Sequence, residues 1–267
     1  MTTANGRPLA VVTGASSGIG FELAKVFARN GFDLVIAAED AAISDAARDI
    51  EALGARVESV RTDLAEPDGV RRLYDAARAT GRAVDAVAIN AGVGVGGPFA
   101  ETDLADDLKL VDLNVRSSVH LAKLMVRDMA TRGAGKVLFT SSNAATQPGP
   151  FEATYAASKA FLLSFSEALR NELKDSGVTV TALMPGPTDT EFFERAGLTD
   201  TKLGSSDKDD PGEVAEQGFQ ALMRGKDHVV AGSMKNKVMA GAAKVMPEQA
   251  KAATHRKMSE PGSGQDG

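Results

Sequence analysis

Apolar residues recur along the chain in short runs separated by turn residues. LAVVT (9–13), DLVIAA (33–38), RVESVR (56–61), VDAVAI (84–89), KVLFTS (136–141), VTVTALM (178–184) and HVVAG (228–232) read as strands, being rich in β-branched or apolar side chains. Between them, segments near 18–30, 41–53, 67–80, 101–130, 152–175 and 211–224 carry apolar residues at helical spacing. Several strand runs lack polar alternation, which is expected when helices cover both faces of a parallel sheet. The pattern predicts an α/β fold, a doubly wound parallel sheet of seven strands flanked by helices, occupying residues 6–232.

The pattern changes after residue 233. MKNKVMAGAAKVMPEQAKAATHRKM sets Met, Val and Ala on one helical stripe and lysines on the other, so 233–258 read as a basic amphipathic C-terminal extension. Packing on the domain or on a neighbouring subunit is the favoured reading, and contact with a membrane surface the lesser one. SEPGSGQDG (259–267) has the composition of a disordered tail.

Charge and composition narrow the function classes. A net charge of −6 argues against a general nucleic-acid binder. The balance is uneven, because Arg224–Lys257 holds eight Lys/Arg against Asp227 and Glu248. With no cysteine, thiolate metal sites and a cysteine nucleophile are excluded, and a reducing cytoplasm is the expected location. The apolar run before Gly14 is too short for a secretory signal, and no stretch approaches a membrane span. His120, His228 and His255 are scattered and read as surface or hydrogen-bonded residues, with no metal site expected.

Candidate chemistry begins directly after the first strand, where TGASSGIG (13–20) runs into a helical pattern. Gly14, Gly18 and Gly20 permit a tight turn and close approach of backbone N–H groups to a pyrophosphate, which the positive end of a helix favours. Ser16 and Ser17 add hydroxyl donors in the same loop. A second pattern is TYAASKAF (154–161), which sets Tyr155 and Lys159 one helical turn apart on a shared face. An ammonium near a phenol lowers its pKa from about 10. Tyr74 has Arg78, not Lys, four residues on, and reads as structural.

Taken together, these motifs resemble those of the short-chain dehydrogenase/reductase family over about residues 8–232, in the same order. The family's Asn-Asn-Ala-Gly after the fourth strand is matched by INAG (89–92), with Asn90, Ala91 and Gly92 kept and Ile89 in first place. Its active-site Asn is matched by Asn114, its Ser thirteen residues before the Tyr by Ser142, and its Pro-Gly motif by Pro185, Gly186 and Thr190. The resemblance implies a Rossmann fold and an NAD(P)-dependent oxidoreductase interconverting a secondary alcohol and a ketone. In that scheme Tyr155 is the general acid/base, Ser142 binds the substrate oxygen, Lys159 holds the nicotinamide ribose and Asn114 anchors a relay water. Ile19, Leu64 and Thr188 would join the glycine turn against the cofactor, and Asp63 would contact its adenine.

Cofactor choice is read at the end of the second strand. A carboxylate at Glu39 can accept from ribose hydroxyls and would repel a 2′-phosphate, and residues 32–47 contain no basic side chain, so NAD is expected over NADP. Phe192 and Phe193 open a segment, EFFERAGLTDTKLGSSDKDDPG, that reads as a mobile lid over an alcohol or ketone substrate. By resemblance, the helices at 101–130 and 152–175 would join a homodimer or homotetramer. The alternatives are an NADP-dependent 3-oxoacyl reductase and a non-catalytic dinucleotide-sensing scaffold.

Overall fold

A computed structural model describes residues 6–233 and 246–265. Seven strands, β1 (Leu9–Thr13), β2 (Asp33–Ala38), β3 (Val57–Arg61), β4 (Val84–Ile89), β5 (Gly135–Thr140), β6 (Val178–Pro185) and β7 (His228–Ala231), form one sheet in the order β3-β2-β1-β4-β5-β6-β7. Every pairing is parallel, with Thr13 opposite Ala37 and Val12 opposite Ala88. The winding reverses between β1 and β4. In such sheets that reversal opens a crevice beyond the carboxyl ends of the strands, where ligands bind.

Helices cover both faces. On one side α1 (Gly18–Arg29), α2 (Ile43–Glu51) and α9 (Pro211–Met223) enclose Ala10, Val12, Leu34 and Ile36. On the other, α3 (Pro67–Ala79), α5 (Ser118–Arg132) and α6 (Ala153–Glu172) enclose Val11, Val35, Val87 and Phe139. Successive strand residues point to opposite faces, and because both faces are buried every residue of β1 and β2 is buried. Phe27 anchors the first core, edge-on to Phe32 at 5.1 Å and to Phe219 at 5.0 Å between ring centres.

Three expectations differ from the structure. The helix expected over 101–130 is α4 (Leu104–Val111), a π-helical stretch Asp112–Ser117, and α5. Within it the Ser117 hydroxyl donates to the Leu113 carbonyl and the Ser118 hydroxyl to that of Asn114 at 2.8 Å, side-chain bonds that compete with the regular ladder. The described part of the extension, α10 (Glu248–Ser259), packs on the domain through Lys251, His255 and Ser259, a polar face and not the apolar stripe; residues 234–245 lie outside the described residues. Residues 259–265 are not disordered. Ser259 is fully buried, and Ser263–Gln265 form a 3-10 turn in which the Gly264 N–H donates to the Asp200 carbonyl at 2.8 Å.

Phe27 tests the first core. Phe27→Ala is expected to destabilise the protein by about 3–5 kcal/mol, read as a lower urea midpoint with unchanged slope.

Candidate active site

The ends of β1, β2 and β4 crowd together at the glycine turn. Gly14 has φ +65° and its N–H donates to the Ala37 carbonyl at 2.8 Å, while a Cβ there would sit 2.9 Å from the Ala91 Cα. A Cβ on Gly20 would lie 2.0 Å from the Gly14 oxygen, so α1 can follow the turn this closely only with glycine. Asn90 fastens three strand ends: its amide donates to the Thr13 carbonyl at 3.1 Å, its Oδ1 accepts from the Thr140 hydroxyl at 3.0 Å, and its N–H reaches Thr13 Oγ1 at 2.9 Å. Ile89, in place of an asparagine, joins the apolar core.

The donors at the start of α1 suit a diphosphate. Ser17 stands at the N-cap in extended conformation without a side-chain cap, and no acidic residue occupies the first turn. Asp103 and Asp210, by contrast, cap α4 and α9. The positive end of α1 is thus left for an external anion, in a cleft lined by Ser16, Ser17, Gly18 and Ile19. Ser16 donates to Asp40 Oδ2 at 2.8 Å, which brings Asp40, unremarked in the sequence, into the site.

At the adenosine end Ala38, Glu39, Thr62 and Leu64 line the cleft, but Asp63 does not; its carboxylate accepts from the Ala65 N–H at 2.8 Å. The fold supplies Glu39 with cations that its own segment lacks. Lys109 of α4 stands 3.3 Å from the Glu39 carboxylate, and Arg61 donates to the Glu39 carbonyl at 3.1 Å.

The catalytic candidates gather where β5 meets α6. Lys159 is buried, with its ammonium donating to the Thr140 carbonyl at 2.9 Å, and the Ser141 hydroxyl donates to the Lys159 carbonyl at 2.8 Å. Tyr155, one turn earlier, lines the cavity together with Ser142, whose hydroxyl caps the 3-10 turn Asn143–Thr146 by accepting from the Ala144 N–H at 3.1 Å. Asn114 is fully buried and does not line the cavity. Its amide bonds both backbone groups of Val93 at 2.9 Å and donates to Ser158 at 3.0 Å, tying the β4 exit to α6. Gly92 lies between Asn114 and Lys159: a Cβ there would be 3.0 Å from Asn114 Oδ1 and 3.3 Å from the ammonium.

The electrostatics amend the expectation drawn from helical spacing. Tyr155 keeps some surface on the cavity, but protein surrounds it otherwise, and burial pushes its pKa upward; the facing Ser142 hydroxyl pulls the other way and the Glu152 carboxylate adds to the rise. Lys159 lies over the tyrosine ring, 5.6 Å from its centre, and burial pulls its pKa down to about 8. The lysine alone therefore does not acidify the phenol.

The remaining wall is the segment after β6. Pro185, Gly186, Thr188 and Thr190 line the cleft, and Gly18 closes on Thr190, whose methyl would lie 3.0 Å from a Cβ. The expected lid is folded into α7 (Phe192–Arg195) and α8 (Lys202–Ser205), with α7 and the turn after it laid on the glycines of GVGVGG. A Cβ at Gly94 would meet Phe192 at 2.6 Å, one at Gly96 would meet Leu198 at 2.4 Å, and the Gly96 N–H donates to the Ala196 carbonyl at 2.8 Å. Phe192 stands beside Tyr155, ring centres 5.0 Å apart, whereas Phe193 is buried with Ala196 and Leu198 and pins the segment. The cavity, about 710 Å³, is closed on its outer side by Thr254, His255 and Met258 of α10. His255, read from the sequence as a surface or hydrogen-bonded residue, is buried and hydrogen-bonded to Glu152.

Lys159 gives a pH test. Its pKa in the folded chain, about 8, lies below the ordinary 10.5, so the cost of burying its charge is fully present below pH 8 and relieved as pH rises toward 10.5. Relative to Lys159→Met, the unmutated protein is expected to gain stability across that window, read from denaturant midpoints at each pH.

This geometry has counterparts. Residues 8–200 match the short chain dehydrogenase family. The chain is 39% identical over 194 residues to 1-deoxy-11-beta-hydroxypentalenate dehydrogenase of Streptomyces exfoliatus, covering 71% of this chain and 70% of that one. A short-chain dehydrogenase from Sphingobium yanoikuyae in complex with NADPH superposes with TM-score 0.77 at 27% identity, covering 89% of this chain and 93% of that one. A short chain dehydrogenase/reductase from Burkholderia phymatum in complex with NAD gives TM-score 0.80 at 25% identity, covering 91% and 94%. With its parallel sheet, glycine turn and Tyr155–Lys159 helix in place, the chain belongs to the short-chain dehydrogenase family, oxidoreductases acting on CH–OH groups with NAD or NADP.

Proposed function

We propose that the protein interconverts a secondary alcohol and a ketone, with Tyr155 as general acid/base and NAD as the favoured cofactor. The observation that carries this reading is one cleft joining an uncapped helix N-terminus at one end to Tyr155 and Ser142 at the other. The cofactor, when bound, supplies a nicotinamide carbon that gives or takes hydride and, in its oxidised form, a positive charge. The backbone donors of α1 would hold its diphosphate, and Lys159 would hold its ribose hydroxyls while staying anchored on Thr140. The Ser142 hydroxyl donates to the substrate oxygen. In reduction Tyr155 gives its phenolic proton to that oxygen as hydride arrives at carbon; in oxidation it takes the proton back. Neutral Tyr155 is the resting form of the buried site, so it stands ready as an acid. Asn114 positions this machinery by tying the β4 exit to α6, and the relay of protons to solvent would run past it.

Substrate would lie against Phe192, which with Phe193, Leu203 and Met258 supports an apolar substituent on the carbonyl. Leu104, Leu108 and Val111 are exposed at helical spacing on α4, and Phe161 is exposed on α6, which supports association with a second copy through these helices. Among the described residues no helix is long and apolar enough to cross a membrane.

A second reading, NADP use as in a 3-oxoacyl reductase, is favoured by Lys109 and Arg61 beside Glu39, since a 2′-phosphate could take Lys109 from the carboxylate.

Two measurements address these readings. Tyr155→Phe is expected to lower kcat by about 10²–10⁴-fold with KM little changed; retention of turnover by the folded variant would defeat the acid/base assignment. Titrating nicotinamide fluorescence is expected to show NADH binding at least about tenfold tighter than NADPH, about 1.4 kcal/mol, and the reverse order would select the second reading.

A further inference from the structure

The buried face of α10 is made of Lys251, His255 and Ser259, and two of these meet a single carboxylate. His255 Nε2 lies 3.0 Å from Glu152 Oε2, and the Ser259 hydroxyl donates to the same oxygen at 3.1 Å. On the far side of the ring, Gln147 Nε2 lies 3.1 Å from His255 Nδ1. Glu152 is 3% exposed, His255 6% and Ser259 0%, so the group is buried, with Glu152 and His255 on the wall of the cavity. Glu152 occupies the N-cap position of α6 but does not cap it; the carboxylate goes to α10 instead.

Two further features show that this placement is imposed on the chain. Phe151, just before Glu152, has φ +63°, a left-handed conformation that residues other than glycine rarely adopt. It is held there by the Gly97 N–H, which donates to its carbonyl at 2.8 Å, and by the Arg256 guanidinium, 5.0 Å from its ring centre. A buried carboxylate bound to a histidine, moreover, is weak support for stability, because desolvation offsets attraction and apolar side chains would serve as well. Strain and buried charge together mark a functional arrangement three residues before Tyr155.

We propose that Glu152 and His255 are positioning residues for the reaction at Tyr155: they fix α10 as the outer wall of the substrate cavity, and the charge on the pair sets the field at the phenol. This rests on the acid/base role proposed for Tyr155. The Gln147 amide stands at Nδ1 and the Nε2 edge of the ring faces Glu152, whose negative charge opposes formation of the phenolate at Tyr155. Turning that amide over places its carbonyl at Nδ1 and accepts from an imidazolium, whose charge cancels the carboxylate's. The other charged groups near the pair are already matched or farther along. Lys251 is paired with Glu248 at 2.8 Å and Arg256 with Glu260 at 3.0 Å on α10 itself, Lys159 lies a turn beyond Tyr155 on α6, and Arg195, Asp207 and Lys208 stand on the cavity wall formed by the segment after β6.

The test is the pH profile of alcohol oxidation, read together with tyrosinate absorbance with and without NAD⁺. The chain has two tyrosines and no tryptophan, so the difference between the unmutated protein and Tyr155→Phe isolates one phenol. Glu152→Gln keeps the shape and removes the charge; the pH midpoints of kcat/KM and of tyrosinate formation are expected to fall by about one unit. Glu152→Asp, which keeps the charge, is expected to restore the midpoint. His255→Asn leaves the carboxylate without a partner that can become charged, and is expected to raise the midpoint and to expose α10 to proteolysis; it carries the test if Glu152→Gln does not fold. Unchanged midpoints in the folded variants would overturn the proposal. If Tyr155→Phe is inactive while those midpoints stay fixed, only this inference fails; if Tyr155→Phe keeps full activity, the acid/base reading fails with it.

Discussion

One hydrogen bond sets the geometry of the site: the Lys159 ammonium donating to the Thr140 carbonyl at 2.9 Å, at the last residue of β5. With the return bond from Ser141 to the Lys159 carbonyl, it fixes α6 in rotation and height against the sheet. That rotation turns Tyr155 into the cavity and Ser158 toward Asn114. The bond buries a charge, and its discomfort is visible in a pKa pulled down to about 8. A shorter or uncharged side chain could satisfy the packing, but not also reach a ribose in the cleft.

The second constraint is topological. Because winding reverses between β1 and β4, two strands end side by side with their loops diverging, and the turn after β1 must pass against the residues after β4. Gly14 against Ala91, and Asn90 against Thr13 and Thr140, are the local solutions to that crowding. The same divergence opens the cleft, so the residues that make the turn possible also line the cofactor site.

Much of this was legible in the sequence, and for physical reasons. Strands covered on both faces must be apolar throughout, which is why DLVIAA and VDAVAI stand out. The glycine turn is legible because only glycine meets its contacts. The π-helical stretch is not, since its residues have ordinary helical spacing and nothing in their local pattern sets them apart. Asp40 is tied to Ser16 and Lys109 to Glu39 through tertiary contacts that no local window contains, whereas Asp63 matched the family's position yet turns its carboxylate to its own backbone. The buried face of α10 defeated a reading based on apolar stripes because it is held by charge and hydrogen bonds; the signal that could have found it was a lone His four residues from Lys251 and four from Ser259. The lid looked mobile because its composition is polar, but its docking side is supplied by the bare backbone of GVGVGG, where glycine hides the contact from any hydrophobicity count.

Several unfavourable features border the cleft. The buried ammonium of Lys159, the carboxylate of Glu152 and the uncapped start of α1 all border one cavity, and the positive φ of Phe151 lies next to it, while α4 and α9 carry aspartate caps. An anion at the start of α1 would meet donors that the helix itself leaves unpaired. The folded state is thus least comfortable at the positions where a dinucleotide has the most to add, and binding free energy at those groups appears as folding free energy by mass action. That linkage explains why a chain of this design keeps its strain in the cleft: strain elsewhere would lower stability without being relieved by any ligand.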